Sequence, residues 1–394
     1  MQTSLLATAL NILVAPDSFK GSLTASEAAA YIARGVARAL PRSGVTQIPI
    51  ADGGEGTASA IAAALGGTWD RMTVLDANGK TASMRYAHCE SAQYGKFAVF
   101  DVAEVVGLPA AVVPPQDRTT RGVGQAIRGL YEKGFRTVAI GLGGSSTMDA
   151  GAGMLSEIAF NFTAADHWPL FPTFRVLPEI ARMCRREDGG WLEALRIVAL
   201  SDVTSPLTGP QGASHVFGRQ KGFVGLDEAD RVIGNFGTLC ERSLGRCLRH
   251  IPGAGAAGGL GFGLMLIGAE IVSGAEFILN AAGLADTVGN YDWVITGEGC
   301  SDGQTLLGKG PALLARLASA QNVPVSLLSG AVETIDDLEQ VFDGCFSIMN
   351  KPASLQFAIE NAGPLLEGAA FRIARLFASA RASGVERFVR KEAA

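Results

Sequence analysis

The sequence predicts an α/β protein with two α/β domains, one of which contains a flavodoxin- or Rossmann-like, doubly wound parallel sheet. Short runs rich in β-branched residues alternate with Ala- and Leu-rich helical stretches at both ends of the chain, which is typical of a parallel sheet. The length of 394 residues favours two domains over one. With 48% apolar and 18% charged residues, the chain can bury a large core, which excludes intrinsic disorder.

The N-terminal segment predicts two strand–helix pairs. Asn11–Ala15 is the first predicted strand, and the capping-box pattern at Thr24 and Glu27 opens an amphipathic helix. Val45–Ile50 is the second strand, and the glycine loop ADGGEGT leads from it into a second helix. The apolar start of the chain contains no Lys or Arg before residue 20. It therefore lacks the basic segment of a signal peptide, and we expect a cytoplasmic protein.

The middle of the chain is less regular than its ends. Thr73–Phe100 predicts an antiparallel excursion, because the segment DANGK offers a turn between two extended runs. A helix is expected after TTRGVG, strands at TVAIG and LRIVAL, and helices at Glu228–Leu248 and Leu260–Val272. The C-terminal third returns to a regular alternation of strands at Asp292–Thr296, Pro324–Ser329 and Cys345–Met349 with helices near 308–320, 333–341 and 364–383.

This distribution of strands predicts how the domains are built. Two strands from the start of the chain and three from its end complete one five-stranded sheet, with the middle inserted as a second domain. We therefore expect a discontinuous first domain at 1–75 and 285–394, and an inserted α/β domain at 76–284.

Composition also limits the partners. The net charge is −5 and no run of like charges occurs, which argues against a nucleic-acid partner. The six Cys form no C-x-x-C pair and the four His form no metal motif, so we expect a reduced compartment and no transition-metal site. Ile251–Ala269 is uncharged over 19 residues, but its seven Gly make it a poor transmembrane helix, and we expect no membrane partner.

The 50 glycines concentrate in four loops, at 52–57, 141–153, 253–263 and 297–303. Three of these loops directly follow a predicted strand. A glycine loop before a helix points backbone N–H groups at one place, which suits phosphate, although each loop taken alone is also explained as a tight turn. Two motif matches are rejected. Gly253–Gly258 matches a dinucleotide fingerprint, but that fingerprint requires a preceding strand, and none is predicted there. Gly303–Lys309 matches a P-loop, but Gly310 stands where a P-loop has Ser or Thr.

Acidic residues stand where the predicted strands end, namely Asp17, Asp52, Asp202, Glu298 and Asp302. In an open α/β sheet, ligands bind at these strand ends, next to the point where the strand order reverses. If the order is 2-1-3-4-5, the segment from Asp17 to Lys20 lies beside the segment from Glu298 to Asp302. A Lys with two or three carboxylates in a glycine-lined crevice suits phosphoryl transfer with Mg²⁺. Each Asp taken alone is also explained as a helix cap.

A set of long motifs in the same order resembles the bacterial glycerate kinase family, of the type that yields 2-phosphoglycerate. The resemblance extends from about Ile12 to about Ser379 and rests on VAPDSFKGSLTASEAA, PIADGGEGT, TTRGVGQAI, GLGGSSTMDAGAGML, SDVTSPLTGPQGASHVFGRQKG, PGAGAAGGLGFGL and VITGEGCSDGQTLLGKGP. It implies phosphorylation of D-glycerate with ATP and Mg²⁺. It further implies two α/β domains with the active site in the cleft between them.

The strand-end pattern and the resemblance together predict the site residues. The expected catalytic residues are Lys20, which would neutralise the transferred phosphate, and Asp202 and Asp302, which would act as base or as Mg²⁺ partner; Asp202 is the expected metal ligand. The expected glycerate-binding residues are Asp17, Ser18, Asp52, Gly53, Gly54, Glu55 and Arg121. The expected nucleotide-binding residues are Gly143, Gly144, Ser145, Ser146, Gly255, Gly258, Gly259 and Glu298. Arg121 would clamp a carboxylate, although a surface role explains it equally well.

Several positions depart from the family pattern. Met148 stands for an Asn, Ala150 for a Gly, Cys300 for an Arg and Leu307 for a His. The loss of an Arg and an Asn near a phosphate site would weaken ATP binding or change the substrate. The alternative function is therefore a non-catalytic or altered-substrate homologue that binds a small hydroxy acid or a nucleotide. The sequence leaves the oligomeric state open, with a homodimer as one option.

Overall fold

The chain divides into two compact units. The computed structural model describes residues 9–333 and 335–382, apart from the side chains of Leu307 and Ala382. The first unit comprises Met1–Ile50 together with Gly283–Ala394, and the second comprises Ala51–Ala282. Both ends of the chain therefore belong to the first unit.

Strands in the described residues are labelled in chain order: β1 Asn11–Val14, β2 Gly44–Gln47, β3 Thr68–Leu75, β4 Thr81–Ser91, β5 Gly95–Asp101, β6 Thr137–Gly141, β7 Phe160–Thr163, β8 Pro169–Leu170, β9 Arg182–Arg185, β10 Arg196–Leu200, β11 Glu270–Val272, β12 Trp293–Thr296, β13 Cys300–Ser301, β14 Val325–Ser329, β15 Ala331–Val332 and β16 Gly344–Ser347.

Helices in the described residues are labelled in the same way: α1 Ala25–Ala39, α2 Thr57–Leu65, α3 Ala103–Val106, α4 Arg121–Glu132, α5 Ala152–Ile158, α6 Ala213–Phe217, α7 Leu226–Leu244, α8 Ala256–Leu266, α9 Gly274–Ala281, α10 Leu284–Thr287, α11 Gly310–Ala320, α12 Ile335–Leu338, α13 Leu355–Glu360 and α14 Ala362–Ala382. Short 3-10 helices occur at Pro115–Asp117, Phe174–Glu179, Glu187–Ala194, Arg219–Lys221, Val288–Asn290 and Thr305–Leu307.

The first unit is built on a five-stranded sheet with the order β16-β14-β12-β1-β2. All of its pairings are parallel, for example Ile12 opposite Trp293. Numbered along the chain, this is the order 2-1-3-4-5, and the doubly wound sheet expected from the sequence is confirmed. The central strands are apolar because helices cover them. Buried Ile12 and Ile295 pack in one core cluster with Val36 of α1 and Leu366 of α14.

The capping box predicted for the first helix is present. The Thr24 hydroxyl accepts a hydrogen bond from the Glu27 backbone N–H at 3.2 Å, and the Glu27 carboxylate accepts one from the Thr24 N–H at 2.9 Å. These two bonds satisfy N–H groups that a helix start otherwise leaves unpaired. The chain therefore turns into α1 directly after the segment that contains Asp17 and Lys20.

The second unit is built on a six-stranded sheet with the order β11-β10-β6-β5-β4-β3. The four strands from β11 to β5 are parallel, whereas β5, β4 and β3 form an antiparallel meander. The meander confirms the antiparallel excursion predicted from the sequence. A small sheet of β8, β7 and β9 packs beside it through Phe160 and Phe162.

Two expectations need correction. Residues 51–75 pack with the second unit, not the first, because β3 pairs along its length with β4. The helix expected at Leu260–Val272 ends at Leu266, and Glu270–Val272 instead forms β11 beside β10. The physical reason is Gly268, whose φ of +90° ends the helix and turns the chain toward the sheet.

Candidate functional site

In the first unit, β1 and β12 end side by side at the point where the strand order reverses. The Asp17 N–H donates to the Gly297 carbonyl at 2.8 Å, which ties the two strand ends together. Gly297 is required at this place because a Cβ would overlap the carbonyl oxygen of Leu328. Gly299 lies against the backbone of Phe19 and Lys20. The structure therefore brings together the two segments that the predicted strand order placed side by side.

The segment after β1 presents a buried acid and an exposed cation. Asp17 is 5% exposed, and its carboxylate accepts a hydrogen bond from the Ser18 N–H at 2.5 Å. Phe19 is buried and forms a bridge with Leu23, which anchors the turn. Lys20 follows on the exposed side. This lysine can therefore reach a solvent-borne anion while the turn beneath it stays anchored.

Glu298 follows β12 and organises its own loop. The carboxylate is 7% exposed and accepts hydrogen bonds from Thr305 Oγ1 at 2.7 Å and from Ser301 Oγ at 3.2 Å. Its second oxygen pairs with Lys309 Nζ at 3.5 Å. A buried carboxylate needs such partners because burial penalises its charge. Glu298 thus holds Lys309 at a fixed place in this loop.

Asp302 directly follows β13, at the turn that precedes Thr305. Its carboxylate accepts a hydrogen bond from the Gln304 N–H at 2.8 Å, and its own N–H donates to Thr305 Oγ1 at 3.1 Å. The side chain is half-buried. Its local geometry is that of an Asp that closes a turn, which differs from the helix cap that the sequence left open as an alternative.

In the second unit, β5, β6 and β10 end together, and the loop 52–57 lies on their carboxyl ends. The Gly143 N–H, just beyond β6, donates to the Gly53 carbonyl at 3.2 Å. Asp52 is half-buried and accepts a hydrogen bond from the Gly54 N–H at 3.0 Å. Glu55 is exposed at the tip of the loop. The structure thus brings the 52–57 and 143–147 loops into contact.

Asp101 ends β5 beneath the 52–57 loop and was not among the predicted site residues. It is 5% exposed, and its two oxygens accept hydrogen bonds from the N–H groups of Gly56 and Ala58, each at 3.0 Å. Burial raises the pKa of Asp101 to about 7, against the lowering effect of these two bonds. The strand-end rule that selected Asp52 and Asp202 would have found it in the segment KFAVFD.

The hydroxyl groups of the serines in the 143–147 loop form hydrogen bonds with other groups of the protein. Ser146 is fully buried, and its hydroxyl donates to the Val106 carbonyl at 2.8 Å. Ser145 is 7% exposed, and its hydroxyl lies 2.6 Å from Lys221 Nζ. Lys221 and Arg118 both contact this loop from within the unit, and the sequence did not identify either of them.

Asp149 closes the same loop from inside. It is 1% exposed and accepts hydrogen bonds from the Thr120 N–H at 2.9 Å and the Thr120 hydroxyl at 2.8 Å. The N–H groups of Gly151 and Gly153 donate to it as well, each at 3.2 Å. Burial raises its pKa. Asp149 is therefore an internal cap at the start of α5.

The glycine-rich α8 packs backbone to backbone. The Ala150 N–H donates to the Gly258 carbonyl at 3.2 Å, and Gly259 lies against Ala150 and Leu207. The Gly255 N–H donates to the Ser205 carbonyl at 2.9 Å. These close approaches explain the small residues at Gly255, Gly258 and Gly259 by packing. Their expected contact with a nucleotide stays a prediction.

Arg121 begins α4, and its side chain lies against α5. Nε donates to Glu157 Oε1 at 2.5 Å, and the guanidinium carbon lies 5.3 Å from the centre of the Phe171 ring. The contact with Glu157 uses one edge of the guanidinium group. Its expected role with a substrate carboxylate stays a prediction.

The residues that depart from the family pattern lie in different environments. Met148 is fully buried, with its sulfur 3.6 Å from Ser214 Oγ, whereas Cys300 is exposed. Ala150 is also buried and adopts a positive φ of 52°. The side chain of Leu307 lies outside the described residues.

Possible metal ligands are sparse. Asp202 follows β10 and is exposed. Within residues 9–333 and 335–382, no group of three or more His, Cys, Asp or Glu side chains is arranged to hold a metal ion. A Mg²⁺ ion bound here would therefore take one or two carboxylates and complete its shell with water and phosphate oxygens, as is usual for this ion. In the same described part of the chain, no helix is both long and apolar enough to cross a membrane.

Comparison with known proteins agrees with the fold and with the motifs. A model of the glycerate kinase family matches residues 12–378. A glycerate kinase of Halalkalibacterium halodurans is 36% identical over 92% of this chain and 97% of its own length. A glycerate 2-kinase of Escherichia coli is 32% identical over 90% of this chain and 94% of its own length.

A solved structure assigned to glycerate kinase 2 of Salmonella typhimurium LT2 aligns with a TM-score of 0.82 and 32% identity. The alignment covers 95% of this chain and 100% of the other. The match therefore extends over both units. On the family model, the relatives and the fold together, the chain belongs to the glycerate kinase family.

Proposed function

We propose that the chain transfers the γ-phosphoryl group of ATP, with Mg²⁺, to the 2-hydroxyl group of D-glycerate. The observation that carries the proposal is the pairing of strand ends in the first unit. There Lys20 follows β1, and Glu298 holds Lys309 in the adjoining loop. Two cations and several carboxylates at the switch point of a parallel sheet suit the charge that develops in phosphoryl transfer.

In this proposal, residues of the first unit stabilise the transferred group. Lys20 is exposed and neutralises phosphate oxygens, while the buried Asp17 supports the turn that carries it. Asp302 orients the attacking hydroxyl and accepts its proton. Glu298 acts through Lys309 and Ser301, which it contacts directly. The last role follows from its burial, since its oxygens already accept bonds from the protein.

Residues of the second unit bind the two substrates in this proposal. The 143–147 loop holds the nucleotide phosphates together with Gly255, Gly258 and Gly259. Asp52 and Glu55, with Gly53 and Gly54 between them, bind the glycerate hydroxyls, and Arg121 binds its carboxylate. The contact between the 52–57 and 143–147 loops supports this assignment, because it joins the two predicted binding segments.

Asp202 is our candidate for the carboxylate that holds Mg²⁺. It is exposed at a strand end, as a ligand for a partly hydrated ion must be. When bound, Mg²⁺ supplies positive charge that neutralises the phosphate oxygens. Asp202→Asn should therefore raise the Mg²⁺ concentration needed for half-maximal turnover, whereas substitution of a residue that only supports the fold should not.

Turnover and product analysis test the proposal directly. The purified chain, incubated with ATP, Mg²⁺ and D-glycerate, should release ADP, and NMR of the product should show phosphate on the 2-hydroxyl. Lys20→Met should lower kcat by about 100-fold or more, since removal of a transition-state charge contact has this order of effect. Lys96→Met, at an exposed lysine of the second unit, is the matched control. No turnover by a folded chain would contradict the activity, and phosphate on the 3-hydroxyl would contradict the regiochemistry.

The departures at Met148 and Cys300 favour a second candidate function. In it, the chain binds a small hydroxy acid or a nucleotide without turnover, or acts on a related acid. Calorimetry that detects binding of glycerate or an ATP analogue, in a sample that releases no ADP, would favour it. Turnover with D-glycerate at kcat/KM above about 10⁴ M⁻¹s⁻¹, the lower end for typical enzymes, would exclude it.

A further inference from the structure

Lys221 is a buried lysine in the second unit that the proposed mechanism does not use. It ends the short helix Arg219–Lys221 and is 3% exposed. Its ammonium group lies 2.8 Å from the Ser145 carbonyl, 2.6 Å from the Ser145 hydroxyl and 3.0 Å from the Thr147 carbonyl. All three contacts are made with one short loop that lies about 75 residues earlier in the sequence.

Arg118 completes this arrangement from a second side. It is 8% exposed, and its Nη1 donates to the Ser146 carbonyl at 3.1 Å and to the Lys221 carbonyl at 2.9 Å. Three consecutive carbonyls, from Ser145 to Thr147, are therefore bound by two cations. Arg118 also fixes the backbone from which Lys221 extends. We call these two residues the cation clamp.

The clamp solves a physical problem of an anion-binding loop. Carbonyl oxygens that turn toward a phosphate repel it, and a loop that begins with Gly143 and Gly144 has many backbone conformations to lose on binding. The hydrogen bonds from the clamp hold the carbonyls toward the interior of the unit. The two side chains of the clamp also place positive charge beneath the loop, which adds to the attraction of the loop for anions.

Burial dominates the titration of Lys221. It disfavours the charge of the ammonium group, while Asp149 attracts that charge and Arg118 repels it, so that the pKa of Lys221 falls to about 7. A buried lysine is costly unless its protons are accepted, and here three oxygens accept them. A methionine of similar length would fill the same space but would leave these oxygens without a donor. The ammonium group therefore fixes the position of the loop that carries them.

We propose that Lys221 is a positioning residue that, with Arg118, presets the 143–147 loop for the phosphates of a nucleotide. This rests on the proposed role of that loop in binding ATP. The clamp acts through the loop and does not touch the nucleotide. It should therefore change nucleotide affinity and leave glycerate affinity alone.

Lys221→Met tests the proposal, with Lys96→Met as the matched exposed control. We expect KM for ATP to rise about tenfold or more in Lys221→Met, and KM for glycerate to stay within about twofold of the parent value. The size follows from the loss of hydrogen bonds to a charged donor, each of which corresponds to about a tenfold change or more. A lysine that only supports the fold would lower the melting temperature and the active fraction and leave both KM values unchanged, and that result would overturn the proposal.

Arg118→Lys keeps the test available should Lys221→Met fail to fold. It retains the positive charge but shortens the reach to the two carbonyls, and we expect a smaller rise in KM for ATP in the same direction. A folded Arg118→Lys with an unchanged KM for ATP would overturn the proposal.

Calorimetry with a non-hydrolysable ATP analogue separates this proposal from the kinase activity itself. A parent chain that binds the analogue but has no turnover would contradict the kinase proposal, while weaker binding by Lys221→Met would still support the clamp. A parent chain that does not bind the analogue would overturn both.

Discussion

Asp101 accepts a hydrogen bond from the backbone N–H of Ala58 at 3.0 Å, although 43 residues separate them in the sequence. The same carboxylate accepts a second bond from Gly56, so one buried acid at the end of β5 holds the loop that contains Asp52 and Glu55. The N-terminus of α2 begins there, and its unpaired N–H groups favour a carboxylate. Asp101 thus acts as a cap supplied by a neighbouring strand.

The raised pKa of Asp101 predicts how stability varies with pH. Burial raises this pKa from 3.8 to about 7 in the folded chain. Between these values the folded chain binds a proton that the unfolded chain has lost. The contribution of Asp101 to the free energy of unfolding should therefore fall as pH rises from about 4 through about 7, with a slope that corresponds to at most one proton. Urea unfolding at several pH values measures the slope.

Asp101→Asn should reduce that slope by up to one proton, because the amide does not titrate. Asp166→Asn, at an exposed carboxyl of the same unit, is the matched control. Equal slopes in the parent chain and Asp101→Asn would show that Asp101 does not titrate in this range.

Arg121 can be tested against its partner Glu157. If the guanidinium binds the carboxylate of glycerate, Arg121→Met should raise KM for glycerate by about tenfold or more, because charge-assisted hydrogen bonds have that order of effect. Glu157→Gln breaks the same ion pair but keeps the arginine, and should leave KM for glycerate within about twofold. An unchanged KM for glycerate in Arg121→Met would contradict substrate binding by Arg121 and would leave the ion pair with Glu157 as its role.

The Glu298–Lys309 pair should contribute to stability. Glu298→Gln keeps an oxygen for the hydroxyls of Thr305 and Ser301 but removes the charge that faces Lys309. We expect a loss of about 1–3 kcal/mol in the free energy of unfolding, since a hydrogen-bonded buried charge is involved.

A double-mutant cycle with Lys309→Met separates the pair from its surroundings. The double variant should lose less stability than the two single variants added together, because each single change removes the same contact. Full additivity would show that the two side chains do not interact in solution.

Restoring the family residues at Met148 and Cys300 should change the free energy of unfolding by different amounts. Met148 is fully buried, so Met148→Asn buries an amide group and should cost about 1–3 kcal/mol. Cys300 is exposed, so Cys300→Arg should change stability by no more than about 0.5 kcal/mol. Chemical unfolding of both variants checks this, and a stable Met148→Asn would mean that the pocket around Ser214 accommodates the amide.

The sequence predicted much of the first unit because its signals are local or follow from chain order. The capping box at Thr24 and the alternation of strands and helices depend on neighbouring residues alone. The order 2-1-3-4-5 then brings Asp17 and Lys20 beside Glu298 without knowledge of any side-chain contact. The end of α8 at Leu266 was missed because a glycine-rich buried helix and the short strand that follows it were both uncharged or apolar over most of their length.

By itself, the sequence determined the fold class, the order of the central strands and which segments meet at the switch point. Only the tertiary structure decided which buried polar groups form hydrogen bonds with each other. Lys221 meets Ser145 across 76 residues, Arg118 meets Ser146 across 28, and Asp101 meets Ala58 across 43. Local patterns follow from backbone geometry along the chain, whereas such contacts depend on how buried groups find partners once packing excludes water.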